Sequence, residues 1–343
     1  MEIGRAMTVL VTGASGFLGS HLVTLLVTRG ERPRALIHPR DDAAWLAQAG
    51  ADVYTADICD RSAIASALTG VDRVIHCAAR TGPWGPASEY QRTNVRGLET
   101  LVRAAMAADV RRIVHVSSIT VHSNNVRGEA DEDSPLQSEP NPYSRSKVAA
   151  EKLLRRMIRD EGAPATIVRP GWIYGPRDTA SFARIARMID EGRMIIIGSG
   201  ENHLPLIYVR DVAEGLLLAS EAQQAEGRSY VLVNDELVTQ RRFLSAIAAE
   251  LGAMVPSRRI PYALAMMLGG LSEHLGHLMR RKQPPPVMRY GLQLLGGENR
   301  FVISRARHEL GFSPLTGFAE GVRNSVGWYR DAYRAPGRVK VPA

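Results

Sequence analysis

Tyr143 and Lys147 stand four residues apart in Tyr143-Ser144-Arg145-Ser146-Lys147. On a helix this spacing sets a phenol and an ammonium on one face, about 5–6 Å apart at Cβ. A free tyrosine titrates near about 10 and is a poor base at neutral pH. A cation about 6 Å away, at an effective dielectric of about 20, favours the phenolate by roughly 2.8 kcal/mol, or about two pKa units. That shift moves the phenol toward the range for general acid and base work. An ordinary helical pair has the same spacing, so position has to decide. The pair follows by one loop a strand that ends Val116-Ser117-Ser118, and one of those hydroxyls is expected to face the same crevice. Strand-end serines also serve simply to bond their own loop.

A second group of residues supplies a place for phosphates. Thr12-Gly13-Ala14-Ser15-Gly16-Phe17-Leu18-Gly19 spaces its glycines three and three, directly after a strand and at the opening of a helix. Gly13 permits the tight turn, Gly16 lets backbone amides approach a pyrophosphate, and Gly19 lets the helix pack closely on the strand. The helix N-terminus then offers its partial positive charge to the phosphates. A glycine triplet alone is also compatible with a structural turn, but its context points to a dinucleotide. The nicotinamide of an oxidised dinucleotide carries a positive charge and would depress the Tyr143 pKa further. An acidic residue at the end of the second strand bonds the ribose diol of NAD, whereas a basic one accommodates a 2′-phosphate. Here Ala35-Leu36-Ile37 runs into His38-Pro39-Arg40, so NADP(H) is the expected cofactor, with NAD(H) as the alternative if Asp41 or Asp42 reaches back.

The elements that position these residues follow from periodicity. Strands are expected over 8–12, 34–37, 53–56, 73–77, 112–117 and 165–169, alternating with helices such as 17–29 and 89–108. This is the pattern of βαβ units: an α/β fold, a Rossmann doubly wound parallel sheet. After Arg169 the rhythm changes through Pro170-Gly171 and Gly175-Pro176. A helix over 181–191, a strand over 194–197, a helix over 209–220 and a strand over 229–233 follow, and the rest is mainly helical. The expected domains are 1–170 with about 207–235 for the dinucleotide, 171–206 with about 236–334 as a smaller helical substrate domain, and 335–343 as a loose tail.

Composition narrows the class. Apolar residues at 45% and charged residues at 23% suit a folded soluble chain. The net charge of +8 is scattered and its short clusters fall at helix ends, so nucleic acid is not an expected partner. No signal-peptide pattern precedes the first strand, and the two cysteines, Cys59 and Cys77, make no disulfide framework, so a cytoplasmic setting is expected. Cys77 reads as a small strand residue, and the nine His residues lack metal-ligand spacing; no metal is expected.

Taken in order, the glycine loop, Asp57-Ile58, His76-Cys77-Ala78-Ala79, Asn94-Val95-Arg96-Gly97, Ser117-Ser118, Tyr143 to Lys147 and Arg169-Pro170-Gly171 resemble the extended short-chain dehydrogenase/reductase family over essentially the whole chain. Thr81-Gly82-Pro83-Trp84-Gly85 and Tyr174-Gly175-Pro176-Arg177-Asp178 look most like its 3β-hydroxysteroid dehydrogenase group, which is similar to 3-keto-acid reductases and dihydroflavonol reductases. The resemblance implies that Ser118 holds the substrate oxygen, Tyr143 exchanges its proton, and Lys147 also holds the ribose hydroxyls. It implies cofactor contacts from Gly13, Ser15, Gly16, Phe17, Leu18, Gly19, His38, Arg40, Asp57 on the adenine amino group, Ile58, Ala78, Ala79, Pro170 and Gly171, with Asn94 as a positioning residue. Nucleotide-sugar epimerases of the family often read Val-Tyr-Gly where this chain has Val121-His122-Ser123; that departure counts against an epimerase or dehydratase with tightly bound NAD. A non-catalytic NAD(P) sensor is the alternative of another class, and it would not need Ser118, Tyr143 and Lys147 together.

The expected reaction is hydride transfer between nicotinamide and a secondary alcohol or ketone on a bulky, largely apolar small molecule. Trp84, Trp172 and Tyr174 are candidates to line its pocket, with packing as the equal alternative. Between Pro261 and Met279 the apolar residues exceed what one core-facing stripe requires. Met266 and Met267 there are further candidate lining residues; core packing, a homodimer contact and peripheral membrane contact stay open for the same helix.

Overall fold

A computed structural model of the chain describes residues 7–42, 44–123, 126 and 128–334; the tail expected over 335–343 lies outside the described residues. Seven strands make the central sheet: β1 (Val9–Thr12), β2 (Arg34–Ile37), β3 (Asp52–Thr55), β4 (Arg73–His76), β5 (Arg112–Val116), β6 (Ala165–Pro170) and β7 (Ser229–Leu232). They lie in the order β7-β6-β5-β4-β1-β2-β3, every pair parallel. The order reverses between β1 and β4, and in doubly wound sheets the ligand crevice opens at that switch point.

Helices cover both faces of this sheet, which is why its strands read as almost unbroken apolar runs. Successive side chains point to opposite faces. Val9 and Val11 of β1 pack with Leu22 and Leu26 of α1 (Phe17–Thr28), while Leu10 joins the opposite core. That opposite core is filled by Ile64 of α2 (Arg61–Leu68), Leu98 and Leu101 of α3 (Gly97–Ala107), and Leu154 of α4 (Pro142–Glu161). The first core is closed by Leu216 and Leu217 of α5 (Val209–Glu221).

Two helix starts matter for the site. Asn141 caps α4 by accepting the Ser144 amide at 2.9 Å, and Pro142 opens the helix with its φ preset, so Tyr143 sits in the first turn. The helix expected over 89–108 is interrupted: a short turn at Ala87–Tyr90 passes through a π-helical segment, Gln91–Arg96, before α3. Such widened turns recur at functional sites, and this one carries Asn94.

A separate core forms from the later segments. It joins Phe182 and Ile189 to Phe243 and Ile247 of α6 (Gln240–Leu251) and to Val322 and Val326 of α9 (Phe318–Tyr333), with α7 (Tyr262–Leu278) and α8 (Arg289–Gly296) at its edge. The mainly helical expectation holds here except for two-residue strands at Val238–Thr239, Arg259–Ile260 and Arg300–Phe301, too short to leave an alternating pattern. Helix α7 is turned inside out: its buried residues are Ala265, Gly269 and Gly276, whereas its leucines and Met267 are exposed. Among the described residues no helix is long and apolar enough to cross a membrane.

Candidate active site

The glycine loop has no room for side chains. Gly13 adopts φ +64°, and a Cβ there would lie 2.7 Å from the Ala78 Cα; at Gly19 it would lie 2.2 Å from the Gly13 carbonyl oxygen. The loop after β1 is thus pressed against the loop after β4, where the Ala78 amide donates to Thr12 Oγ1 at 3.2 Å. Gly16 caps α1 without any side-chain hydrogen bond, which leaves the first-turn amides free to meet an anion. Ser15, Phe17, Leu18 and Ala79 border the same loop pair, all half-buried. These residues fit a dinucleotide pyrophosphate.

Further along the crevice, His38 and Arg40 are exposed just after β2. Asp41 is tied to the loop by the Ser15 hydroxyl, which donates to it at 2.5 Å. Asp57 accepts the Cys59 amide at 2.9 Å and the Arg92 guanidinium at 2.5 Å, with His38 Nε2 at 3.9 Å. Burial pushes its pKa up, yet the Cys59 amide and Arg92 outweigh it and hold the carboxyl below its usual range. Ile58 is buried against Gly97, where a Cβ would come within 2.6 Å of it. Its side chain therefore works in packing between the third strand's end and α3. Pro170 ends β6, and Gly171 is required there because a Cβ would sit 2.2 Å from the Pro205 carbonyl.

Three successive positions at the end of β5 address three successive turns of α4. Val116 accepts Lys147 Nζ at 2.8 Å through its carbonyl. Ser117 donates to Glu151 at 2.5 Å. Ser118 accepts the Thr120 amide at 3.2 Å, and its hydroxyl favours the Tyr143 phenolate. The end of β5 and the first turns of α4 thus bring Ser118, Tyr143 and Lys147 to one place, where burial overrides the pull of the ammonium on the phenol. Burial pushes the Tyr143 phenol up to about 12, with the Ser118 hydrogen bond pulling it down and Tyr90 pushing it up. The ammonium lies over the ring, 6.0 Å from its centre, and its bond goes to Val116, so burial of the phenol dominates. Lys147 itself is lowered to about 8 by burial, against the pull of Glu151.

Several supporting residues were not singled out from sequence. Glu151 and Arg169 form a fully buried ion pair, with guanidinium bonds of 2.7 and 2.9 Å to the two carboxylate oxygens. Arg169 also donates to His122 Nε2 and to the Glu132 carbonyl, each at 2.9 Å. Asn94 holds both the amide and the carbonyl of Arg80 and donates to Ser146, whose hydroxyl donates to the Tyr143 carbonyl. The expected positioning role of Asn94 thus has a physical form: it ties the loop after β4 to the first turn of α4. The spacing of Glu151, eight residues after Tyr143 and hence on the same helical face, was the available signal. Burial pushes the Cys77 thiol up to about 12, so it stays protonated at neutral pH. Among the described residues, no cluster of three or more His, Cys, Asp or Glu is arranged to hold a metal.

A cavity of about 310 Å³ adjoins this centre, with Trp84, Pro142, Glu273, His277, Tyr290 and Gln293 in its wall. Tyr290 packs edge-on against Tyr143, ring centres 6.2 Å apart. Trp84 stacks on His277 at 4.2 Å. The other expected lining residues are placed elsewhere. Tyr174 is buried among Phe182, Tyr208 and Phe243 in the second core, and Trp172 packs on Phe243 and donates to Ser181. Met266 and Met267 are also absent from the cavity wall, because α7 presents Gly270, Glu273, His274 and His277 to it instead.

Residues 9–232, from the first residue of β1 to the last of β7, match the model of the NAD dependent epimerase/dehydratase family. Over 326 residues the chain is 30% identical to the 2-alkyl-3-oxoalkanoate reductase of Stenotrophomonas maltophilia (strain K279a), covering 92% of this chain and 98% of that protein. It is 29% identical to the 3-beta-hydroxysteroid dehydrogenase of Mycolicibacterium neoaurum, covering 97% and 93%. Among solved structures it is similar to the crystal structure of gox2253, at a TM-score of 0.79 and 30% identity, covering 94% of this chain and 98% of that one. With the glycine loop and the Tyr143 turn both inside the matched span, the chain belongs to the NAD dependent epimerase/dehydratase family, the extended short-chain dehydrogenases/reductases.

Proposed function

We propose that this enzyme transfers a hydride between NADP(H) and a secondary alcohol or ketone on a bulky, largely apolar molecule. The observation that carries the reading is the placing of Tyr143 and Lys147 on one face of α4 at the carboxyl end of β5, with Lys147 Nζ bonded to the Val116 carbonyl at 2.8 Å and 6.0 Å from the centre of the Tyr143 ring. Named relatives that reduce 3-oxoalkanoates or oxidise hydroxysteroids support the substrate class. The bound nicotinamide supplies or accepts the hydride.

The chain's own residues manage the oxygen and its proton. In reduction, Ser118 donates a hydrogen bond to the substrate oxygen and the Tyr143 phenol delivers the proton as the carbon becomes tetrahedral. In oxidation the same phenol takes the proton back. Lys147 spends one of its three donors on Val116, which leaves two for ribose hydroxyls and keeps a positive charge beside the phenolate that forms. Trp84 and Tyr290 offer rings to an apolar body, while Glu273 and Gln293 give the cavity a polar side. His38 and Arg40 supply the basic end of β2 that a 2′-phosphate calls for, while Asp41, held against the glycine loop by Ser15, is the feature that favours the NAD(H) alternative.

Tyr143→Phe tests the reading, because it removes the proton and leaves the glycine loop intact. Turnover on 2-alkyl-3-oxoalkanoates or 3-hydroxysteroids is expected to fall by about 10²-fold or more, with cofactor affinity kept. Activity within about threefold of the parent would refute the role of Tyr143. Enzyme purified with bound NAD that turns over a nucleotide sugar without added cofactor would replace the reading with an epimerase.

A further inference from the structure

We propose that the outer face of α7 docks this enzyme on an anionic lipid surface. At about 100° per residue, Leu264, Met267, Leu268, Leu271, Leu275 and Leu278 fall within a sector of about 100°. Met267, Leu271 and Leu278 are 63%, 54% and 74% exposed. The residues turned toward the protein are small: Ala265 is buried, a Cβ on Gly269 would come within 2.7 Å of Leu292, and one on Gly276 within 2.8 Å of Pro285 and 3.0 Å of Trp84. A helix that packs through glycine and alanine and shows leucine outward is built to meet something apolar on its outer side.

The charges choose the occupant. Arg280, Arg281 and Lys282 follow the stripe at one end and Arg258 and Arg259 precede it at the other; all five are exposed. None of them forms an ion pair among the described residues, whereas Arg289 nearby is paired with Glu273. A stripe bracketed by free cations matches the boundary between acyl chains and anionic headgroups. A second copy of the chain suits it poorly. A two-fold pairing through the same stripe brings cation clusters against cation clusters whether the two helices run parallel or antiparallel.

Docking would also place the cavity at the lipid boundary. Gly270, Glu273, His274 and His277, which line the cavity, lie on the sector of α7 beside the stripe. An apolar substrate dissolved in the bilayer would then enter without crossing water. Only this last consequence rests on the proposed substrate class; the docking itself stands on the helix.

Flotation of the full chain with phosphatidylcholine vesicles, with and without phosphatidylglycerol, tests the docking without reading turnover. The parent is expected to float with the anionic vesicles and to be released by salt. Leu271→Asp with Leu275→Asp is expected to lower bound protein by about tenfold or more while the unfolding midpoint and turnover on a water-soluble ketone stay at parent values. Arg280→Glu with Arg281→Glu should weaken anionic-vesicle binding in the same direction. Failure of the parent to float, or flotation of the double Asp variant equal to the parent, overturns the proposal. A parent dimer that those Asp substitutions split, with no flotation by either protein, overturns it in favour of self-association.

Discussion

Glu151→Gln removes the negative charge from a pair in which both side chains are fully buried. Glutamine keeps the shape and one acceptor for Ser117 or Arg169, but it leaves the Arg169 guanidinium without a counter-charge. The remaining bonds of Arg169, to His122 Nε2 and the Glu132 carbonyl, are to neutral acceptors. Breaking one side of such a pair costs about 3–5 kcal/mol, and the lower figure already changes the folding equilibrium by about 10²-fold. Urea unfolding followed by circular dichroism reads this as a lowered midpoint. A second readout separates the site from the scaffold. Glu151 raises Lys147 against the burial that lowers it, so the alkaline limb of kcat/KM should move to lower pH in Glu151→Gln. Replacing both partners, Glu151→Leu with Arg169→Met, should recover much of the stability and leave the pH limb displaced. A Glu151→Gln protein within about 1 kcal/mol of the parent, or with an unmoved limb, would refute the account.

Other consequences can be checked directly. For ketone reduction, kcat/KM should fall as pH rises through about 8, where Lys147 loses its proton; a profile flat to pH 10 would contradict this. Stability moves the opposite way in that window, because the unfolded chain keeps the Lys147 proton up to its ordinary 10.5 while the folded chain releases it near 8. Gly19→Ala should weaken cofactor binding by about tenfold or more, since its Cβ would meet the Gly13 carbonyl at 2.2 Å; a fluorescence titration giving the parent Kd would count against that geometry. The basic end of β2 predicts a higher kcat/KM with NADPH than with NADH, and a preference for NADH by about tenfold would reverse the assignment.

What sequence made legible is what local chemistry dictates. The glycine loop could be placed because its spacing, its strand and its helix are contiguous, and the Tyr143 turn because i and i+4 share a face whatever the tertiary setting. Contacts made only by the packing of distant elements were not legible: Asn94 could be named for positioning but not its partner Ser146, and the bond of Glu151 to Arg169 depends on the register of helix on sheet. Tyr174 and Trp172 follow a strand end, as pocket residues do, but an aromatic core formed by Phe182 and Phe243 claims them. In α7 the usual inference from an apolar stripe points the wrong way, because close approach of the helix to Trp84 and Leu292 needs Gly276 and Gly269 at the contact. The burial that raises the Tyr143 phenol is set by the fold and leaves no trace in the i, i+4 spacing.

The end of β5 shows why this fold can hold reactive groups so narrowly. Val116, Ser117 and Ser118 meet Lys147, Glu151 and Tyr143 in turn. The three partners are spaced by fours along α4 and so lie on one helical face. The strand end contributes a carbonyl to the ammonium and a hydroxyl to the carboxylate, and its Ser118 hydroxyl favours the phenolate of Tyr143. A slip of one residue along the strand would turn Ser117 and Ser118 to opposite faces, stranding Glu151 and separating Ser118 from Tyr143. The buried Glu151–Arg169 pair adds a second tie, holding the same helix against the neighbouring strand β6. Glu151 thus joins the Ser117 hydroxyl of β5 and the Arg169 guanidinium of β6 to the helical face that carries Tyr143 and Lys147.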